Sequence, residues 1–129
     1  MSKVHMSLEE ARALATECLL HNGCDEANAH AAADRMIQAE GDLCHSHGLF
    51  RLPWYVAGVK SGRANGNANP RVEQLAPAVI RVDGDGGFAP LGQALAHQPL
   101  VDCARKNGIA ALAFVNMFHI AAMWPEVEK

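Results

Sequence analysis

The segment Ile109 to Val115, with the sequence IAALAFV, restricts the possible folds more than any other stretch of the chain. It is apolar throughout, has the length of a strand and follows the turn Asn107-Gly108. Such a run is typical of a strand that is buried on both faces of a sheet. A strand of this kind needs other elements to cover it, and here they would have to come later in the chain. The sequence therefore predicts an α/β (α+β) architecture.

The N-terminal half has the periodicity of helices. Ser7 and Glu10 have the spacing of a capping box, and Asn22-Gly23 supplies a stop before Asp25, which can cap the next helix. Apolar residues then recur at helical spacing up to Val59, with Pro53 expected to be tolerated in a first turn. Helices are predicted over about 8–21, 25–40 and 47–59.

The second half changes character. The turn-rich stretch SGRANGNANP at 61–70 has little apolar content and is expected to be an exposed connection. Pro99 is expected to kink or split the helical tract that follows the strands, and His119 could open a further helix. The predicted elements are strands at 72–75, 79–82 and 109–115 and a helical tract at 90–106. We divide the chain into an N-terminal helical segment, 1–62, and the start of an α/β cofactor-binding domain, 63–129.

Composition excludes several classes of partner. The chain has 129 residues and a net charge of -3, with 11 Lys and Arg against 14 Asp and Glu and no basic run, so nucleic acid is not an expected partner. No signal peptide and no stretch of about 20 apolar residues is found, so a membrane is not expected either and the cytoplasm is the predicted location. The four cysteines form no CxxC pair, which favours reduced thiols.

The stretch CHSHGLFRL at 44–52 concentrates reactive side chains. Cys44, His45 and His47 have the chemistry of zinc ligands, but their spacing matches no common zinc module. A nucleophilic pair of Cys44 or Ser46 with His47 is a second alternative, although no oxyanion-hole motif accompanies it. Ordinary solvated surface groups are a third.

A catalytic pair of His47 and Arg51 is the fourth interpretation. If a helix begins near His47, the two residues stand at i and i+4, with Cβ atoms about 6 Å apart. The guanidinium of Arg51 could then grip a carboxylate with two hydrogen bonds. The imidazole, which titrates near neutral pH, could exchange a proton at the neighbouring carbonyl oxygen or imine nitrogen. This pair suits hydride transfer to a small 2-oxo or 2-imino acid.

Two other stretches could contact a cofactor. Residues 84–89, GDGGFA, formally satisfy the dinucleotide pattern GxGxxA, but prolines disturb the following helix, and a simple glycine turn is the favoured interpretation. The cluster NMFHIAAMW at 116–124 follows the predicted buried strand. Ends of strands in open sheets are common ligand sites, so cofactor contact and plain core packing both remain open for this cluster.

Three segments in a fixed order resemble one family. They are AEGDLCHSHGLFRLPWYVAGVKSG, VIRVDGDGGFAPLGQALA and NGIAALAFVNMFHIAAMWPEVE, and the similarity that they mark extends over nearly all of the chain. They resemble the N-terminal part of the type-2 malate/L-lactate dehydrogenase family, and within it the Δ1-piperideine-2-carboxylate/Δ1-pyrroline-2-carboxylate reductases. Family members are more than twice as long, so the chain looks truncated, and an inactive remnant that at most binds another chain is the alternative.

The resemblance implies a fold other than Rossmann and an oxidoreductase that uses NADPH, with NADH possible. It also implies a small imino or oxo acid as substrate and a homodimer for the full-length protein. The histidine matching His47 would be the proton donor, Ser46 would belong to a relay with an aspartate, and Arg51 would bind the substrate carboxylate. The residues that would contact the cofactor are His119, Ile120, Ala121, Ala122 and Met123. No metal is implied.

Overall fold

The computed structural model describes residues 4–121. These residues form four α-helices, two 3-10 turns and a three-stranded sheet. In chain order the elements are α1 Leu8–His21, α2 Glu26–Gly41, 3-10 turns His45–His47 and Leu49–Arg51, α3 Leu52–Lys60, β1 Arg71–Ala76, β2 Val79–Asp83, α4 Ala89–Asn107 and β3 Ala111–Val115.

The first two helices begin as predicted. The Ser7 hydroxyl accepts a hydrogen bond from the Glu10 amide while the Glu10 carboxylate accepts one from the Ser7 amide, which confirms the capping box. Asp25 caps α2 by accepting from the Asn28 amide. The apolar residues that recur at helical spacing along α2 are buried and are Ala29, Ala32, Ala33, Met36 and Ile37. Its small side chains allow α1 and α2 to pack closely.

The predicted third helix begins later than expected. The prediction of a helix from His47 is wrong, since two 3-10 turns precede α3 at Leu52. Pro53 explains the difference: it has no amide hydrogen to donate and its ring clashes with the carbonyl four residues earlier, so it fits only the first turn of a helix. Residues before Leu52 are therefore free to adopt the tighter turns.

The stretch 61–70 is not a simple exposed connection. Every second residue from Ala64 to Pro70 is buried. The amide of Asp25 donates to the carbonyl of Gly66, and the amide of Asn65 donates to that of Gly86. Backbone hydrogen bonds and small buried side chains thus hold this segment against the rest of the protein. Its burial could not be recognised from hydropathy, because it contains too few large apolar residues.

The sheet has the order β1-β2-β3. β1 and β2 pair antiparallel, as the two predicted strands allow, and β3 pairs parallel to β2 after the crossover through α4. β3 is shorter than predicted and alternates between exposed and half-buried residues, with Ile109 exposed before it. The prediction of a strand buried on both faces is therefore wrong for the described part of the chain, because β3 lies at the sheet edge and α4 covers one face.

Helix α4 is continuous through Pro99, so the prediction that Pro99 splits it is wrong. Pro99 and Leu95 are both exposed. The carbonyl of Leu95, which loses its usual hydrogen bond to residue 99, can be solvated on this side. The C-terminal end is closed by Gly108 in the left-handed conformation.

The core joins the helices to the sheet. α4 contacts both α2 and all three strands. At the centre the ring of Phe88 packs on Tyr55 with centroids 4.6 Å apart and on Phe118 with centroids 6.0 Å apart. Within residues 4–121 no helix has both the length and the apolar character that a bilayer span requires. The helix predicted from His119 is not formed at 119–121, and its remainder lies outside the described residues.

Candidate active site

Ser46 and His47 form a hydrogen-bonded pair in the first 3-10 turn. The Ser46 Oγ lies 3.0 Å from His47 Nδ1, and the Cys44 Sγ lies 3.8 Å from the same nitrogen. A partner on Nδ1 fixes the orientation of the imidazole ring and directs its proton chemistry to Nε2. The contact with Cys44 is longer than that with Ser46, so Ser46 is the principal partner of Nδ1.

Arg51 is held against the same turn. Its Nε donates a hydrogen bond of 2.8 Å to the carbonyl oxygen of Ser46. The predicted arrangement of His47 and Arg51 on one turn of an α-helix is wrong, because both residues precede α3. The two 3-10 turns and the bond to Ser46 nevertheless bring the guanidinium and the Ser46-His47 pair together.

Glu40 was not identified from the sequence. Its Oε1 accepts a hydrogen bond of 2.7 Å from the amide of Leu49, and its Oε2 lies 2.6 Å from His45 Nδ1. Glu40 thus contacts the chain on both sides of Ser46 and His47. A glutamate at the end of a helix resembles a solvated surface charge in the sequence, so no pattern distinguished it. Within residues 4–121 no group of three or more His, Cys, Asp or Glu side chains is arranged to hold a metal ion.

The predicted cofactor segment is described only in part. His119, Ile120 and Ala121 follow Phe118, whereas Ala122 and Met123 lie outside the described residues. Ile120 packs against the core and Ala121 is buried, while His119 is partly buried and partly open to solvent. His119 lines a cavity of about 300 Å³ together with Ala89, Gln93, Phe114 and Met117. Met117 belongs to the cluster 116–124 and Ala89 to the stretch 84–89, both considered above as possible cofactor contacts. Gln93 and Phe114 were not identified from the sequence, because they come from α4 and from β3.

Buried Arg35 connects the two groups of predicted site residues. Its Nη2 donates a hydrogen bond of 3.5 Å to the Gln93 Oε1 in the wall of the cavity. Burial, and then the positive charge of Arg35, lower the pKa of His119. Burial raises the pKa of Tyr55 well above its ordinary value, and the charges of Arg35 and Arg51 oppose that rise. Arg35 is therefore close enough to both His119 and Tyr55 for their charges to interact, and Arg51 is close enough to Tyr55.

Replacing Arg35 by methionine is expected to raise the pKa of His119. The substitution removes the repulsion between the guanidinium and the protonated imidazole, while the largest cause of the lowered pKa, burial, remains. Titration of histidine carbon resonances by NMR measures the change. Arg63→Met, which alters an exposed arginine outside the site, is the control. An unchanged His119 pKa in Arg35→Met would show that the two groups do not interact.

The glycines at 84–87 support a turn and not a phosphate loop. The amides of Gly84 and Gly86 donate to the carbonyls of Val115 and Asn116, and the amide of Gly87 donates to Gly84. A Cβ on Gly87 would overlap the Cβ of Ala68, and one on Gly84 would collide with Met117. These glycines therefore serve close packing, and their amides are already used, which disfavours the dinucleotide fingerprint in this turn.

Comparison with known proteins identifies the family. The sequence model of the family described as malate/L-lactate dehydrogenase matches residues 6–129. The chain belongs to the malate/L-lactate dehydrogenase family. This confirms the resemblance that the three motifs indicated, and with it the mixed helix and strand fold.

Individual relatives agree with this assignment. The chain is 43% identical over 125 residues to the Δ1-pyrroline-2-carboxylate reductase of Ancylobacter novellus, covering 97% of this chain and 37% of the relative. It is 37% identical over 124 residues to the (2R)-3-sulfolactate dehydrogenase (NADP(+)) of Chromohalobacter salexigens, covering 96% of this chain and 37% of the relative. The crystal structure of Δ1-piperideine-2-carboxylate reductase from Pseudomonas syringae pv. tomato superposes on this chain with a TM-score of 0.92 at 36% identity. The match covers 98% of this chain and 38% of that structure. The chain thus spans little more than a third of these relatives' length.

Proposed function

We propose that this member of the malate/L-lactate dehydrogenase family takes part in the reduction of a cyclic 2-imino acid, such as Δ1-pyrroline-2-carboxylate or Δ1-piperideine-2-carboxylate, or of a 2-oxo acid. The observation that carries the proposal is the bond of 3.0 Å between Ser46 and His47, with Arg51 bound to the Ser46 carbonyl. An oriented proton donor beside a guanidinium suits a small carboxylic acid with a reducible group next to the carboxylate.

The residues of this chain have distinct tasks in the proposed reaction. Arg51 binds the substrate carboxylate through the terminal nitrogens of its guanidinium, since Nε is bound to Ser46. Ser46 holds Nδ1 of His47, so that Nε2 delivers a proton to the imine nitrogen or the carbonyl oxygen as C2 is reduced. The products are then the cyclic 2-amino acid or the 2-hydroxy acid.

The cofactor we propose is NADPH, with NADH as the alternative, and it would supply the hydride when bound. The cavity at His119 fits the nicotinamide end of such a cofactor, since Phe114 and Met117 give it apolar walls and Gln93 and His119 give it polar groups. Ile120, Ala121, Ala122 and Met123 are proposed as further contacts. The Chromohalobacter salexigens relative is named as an NADP(+) enzyme, which favours NADPH over NADH.

Three further parts of the proposal concern the whole protein. We propose that it works as a homodimer in the cytoplasm and that residues 1–62 and 63–129 are the helical and cofactor-binding segments. Neither nucleic acid nor a membrane is a proposed partner. The alternative function is an inactive remnant that at most binds another chain.

A chimera tests the proposal directly. This chain would replace the matching part of the Ancylobacter novellus reductase, and oxidation of NADPH would be followed with Δ1-pyrroline-2-carboxylate and with a 2-oxo acid. Activity with either substrate would support competent site residues in this chain. A folded chimera that binds NADPH but reduces neither substrate would contradict the proposal and favour the remnant.

Substituting lysine for Arg51 in the chimera is expected to raise KM for the substrate by about 10- to 100-fold, the effect of losing hydrogen bonds between charged groups. Lysine keeps the positive charge but has neither the planar fork for a carboxylate nor an Nε that could donate to Ser46. Steady-state kinetics give KM and kcat separately. Arg63→Lys is the matched control. A fall in kcat at constant KM would argue against a carboxylate-binding role for Arg51.

A further inference from the structure

We infer that Glu40 is a positioning residue for the segment 45–49, which carries Ser46 and His47. This inference rests on the proposed function for its catalytic meaning, but its geometric part can be tested without turnover. The structure gives Glu40 two contacts that bracket the proton-donating pair, one with His45 before it and one with Leu49 after it.

The segment between these contacts has little intrinsic stability. His45–His47 and Leu49–Arg51 are 3-10 turns of three residues each, and neither begins with a side-chain cap. Short 3-10 turns have poorer hydrogen-bond geometry than an α-helix, so they depend on outside contacts to keep one conformation. Ser46, the residue that holds His47, is exposed.

Glu40 supplies such contacts from a rigid element. It is the penultimate residue of α2, and its side chain is only 19% exposed. The bond from the Leu49 amide to Oε1 is 2.7 Å long, and His45 Nδ1 lies 2.6 Å from Oε2. Hydrogen bonds to a charged acceptor are shorter and stronger than those between neutral groups. One carboxylate therefore ties both ends of the segment to α2.

Gly48 provides an independent sign of the same arrangement. A Cβ built on Gly48 would overlap the Glu40 carboxylate and lie 2.7 Å from its Cγ. The φ of Gly48 is -83°, outside the left-handed range that favours glycine. As it reaches Leu49, the Glu40 side chain occupies the space that a Cβ at this position would need.

The test uses this chain labelled for NMR, with Glu40→Ala and Glu40→Gln compared. Glutamine can still accept from the Leu49 amide, whereas alanine cannot. In Glu40→Ala the exchange of the Leu49 amide with solvent is expected to accelerate by about tenfold or more, and in Glu40→Gln by less than about threefold. The ring nitrogen shifts of His47 should move toward the tautomer mixture of free histidine in the alanine variant and stay near native in the glutamine variant.

A double-variant comparison isolates the contact between Gly48 and Glu40. Gly48→Ala must displace the carboxylate, so it should accelerate Leu49 exchange about as much as Glu40→Ala does. In the Glu40→Ala background the same change should add little, because the obstructing side chain is gone. Gly41→Ala is the control, since its Cβ would meet Leu8 at an ordinary 3.7 Å. If Glu40→Ala does not fold, Gly48→Ala alone gives the comparison with the native chain.

The two possible failures can be told apart. Native Leu49 exchange and native His47 shifts in Glu40→Ala, or an effect of Gly48→Ala that is equal with and without Glu40, would overturn the positioning role. An inactive chimera would overturn the proposed reductase function and leave the NMR result on Glu40 as it stands.

Discussion

Replacing His47 by alanine in the chimera is expected to lower kcat by about 10²- to 10⁴-fold, the range attributed to a positioned general acid. The loss follows from the site geometry, because His47 is the side chain whose ring is oriented by the Ser46 hydroxyl at 3.0 Å. Cofactor affinity should change little, since the residues proposed to contact NADPH lie at the end of the sheet and after it. Single-turnover oxidation of NADPH measures the chemical step, and cofactor fluorescence measures binding.

Two further variants sharpen this prediction. His30→Ala removes an exposed histidine of α2 and should leave kcat unchanged. Ser46→Ala should lower kcat less than His47→Ala does, since the imidazole remains but its orientation is no longer fixed. If His47→Ala weakened NADPH binding as much as it lowered kcat, His47 would be a binding residue and another group would have to supply the proton.

The elements that could be predicted from the sequence are those that local rules determine. Ser7 and Asp25 cap their helices through contacts three residues away, and Gly108 closes α4 with a left-handed turn, so short stretches contain the whole signal. The alanine-rich stripe of α2 is buried as its spacing predicts. The two strands around Ala76-Pro77-Ala78 are likewise defined by their β-branched residues and the turn between them.

Two of the wrong predictions concern segments in which distant contacts outweigh the local pattern. Residues 61–70 have the composition of a loop, yet Ala64 and Ala68 are buried because Gly66 and Asn65 bond to other parts of the chain. Strand β3 was predicted to be covered on both faces, but coverage depends on elements that its own residues do not encode.

The proximity of the candidate site residues could be predicted from the sequence, but their geometry could not. Ser46, His47 and Arg51 are adjacent in the sequence, so their proximity followed from spacing even though the helix assumed for them was wrong. Glu40, Arg35 and Gln93 make contacts across 5 to 58 residues of sequence, and no periodicity connects them to the residues they contact. Contacts of this kind depend on how α2, α4 and the 3-10 turns pack together, which hydropathy and local spacing do not define.

Packing at the junction between helices and sheet leads to the largest expected change in stability. Phe88→Ala should lower the free energy of unfolding of this chain by about 3–5 kcal/mol, the usual cost of truncating a buried phenylalanine. Phe88 is 2% exposed and its ring contacts both Tyr55 and Phe118, so alanine would leave a cavity between α3 and the turn that begins α4. Urea denaturation followed by circular dichroism measures the change.

Phe50 provides the matched control, since it is 65% exposed and Phe50→Ala should change the unfolding free energy by less than about 0.5 kcal/mol. The loss of unfolding free energy in Phe118→Ala should fall between these two values, because Phe118 is half-buried and its ring lies farther from Phe88 than that of Tyr55 does. The order of the three free-energy losses is the test. Equal losses for Phe88→Ala and Phe50→Ala would mean that the aromatic cluster does not join the helices to the sheet. The cavity at His119 would then lose its support, because the segment from Phe118 to Ala121 is attached to this cluster through Phe118.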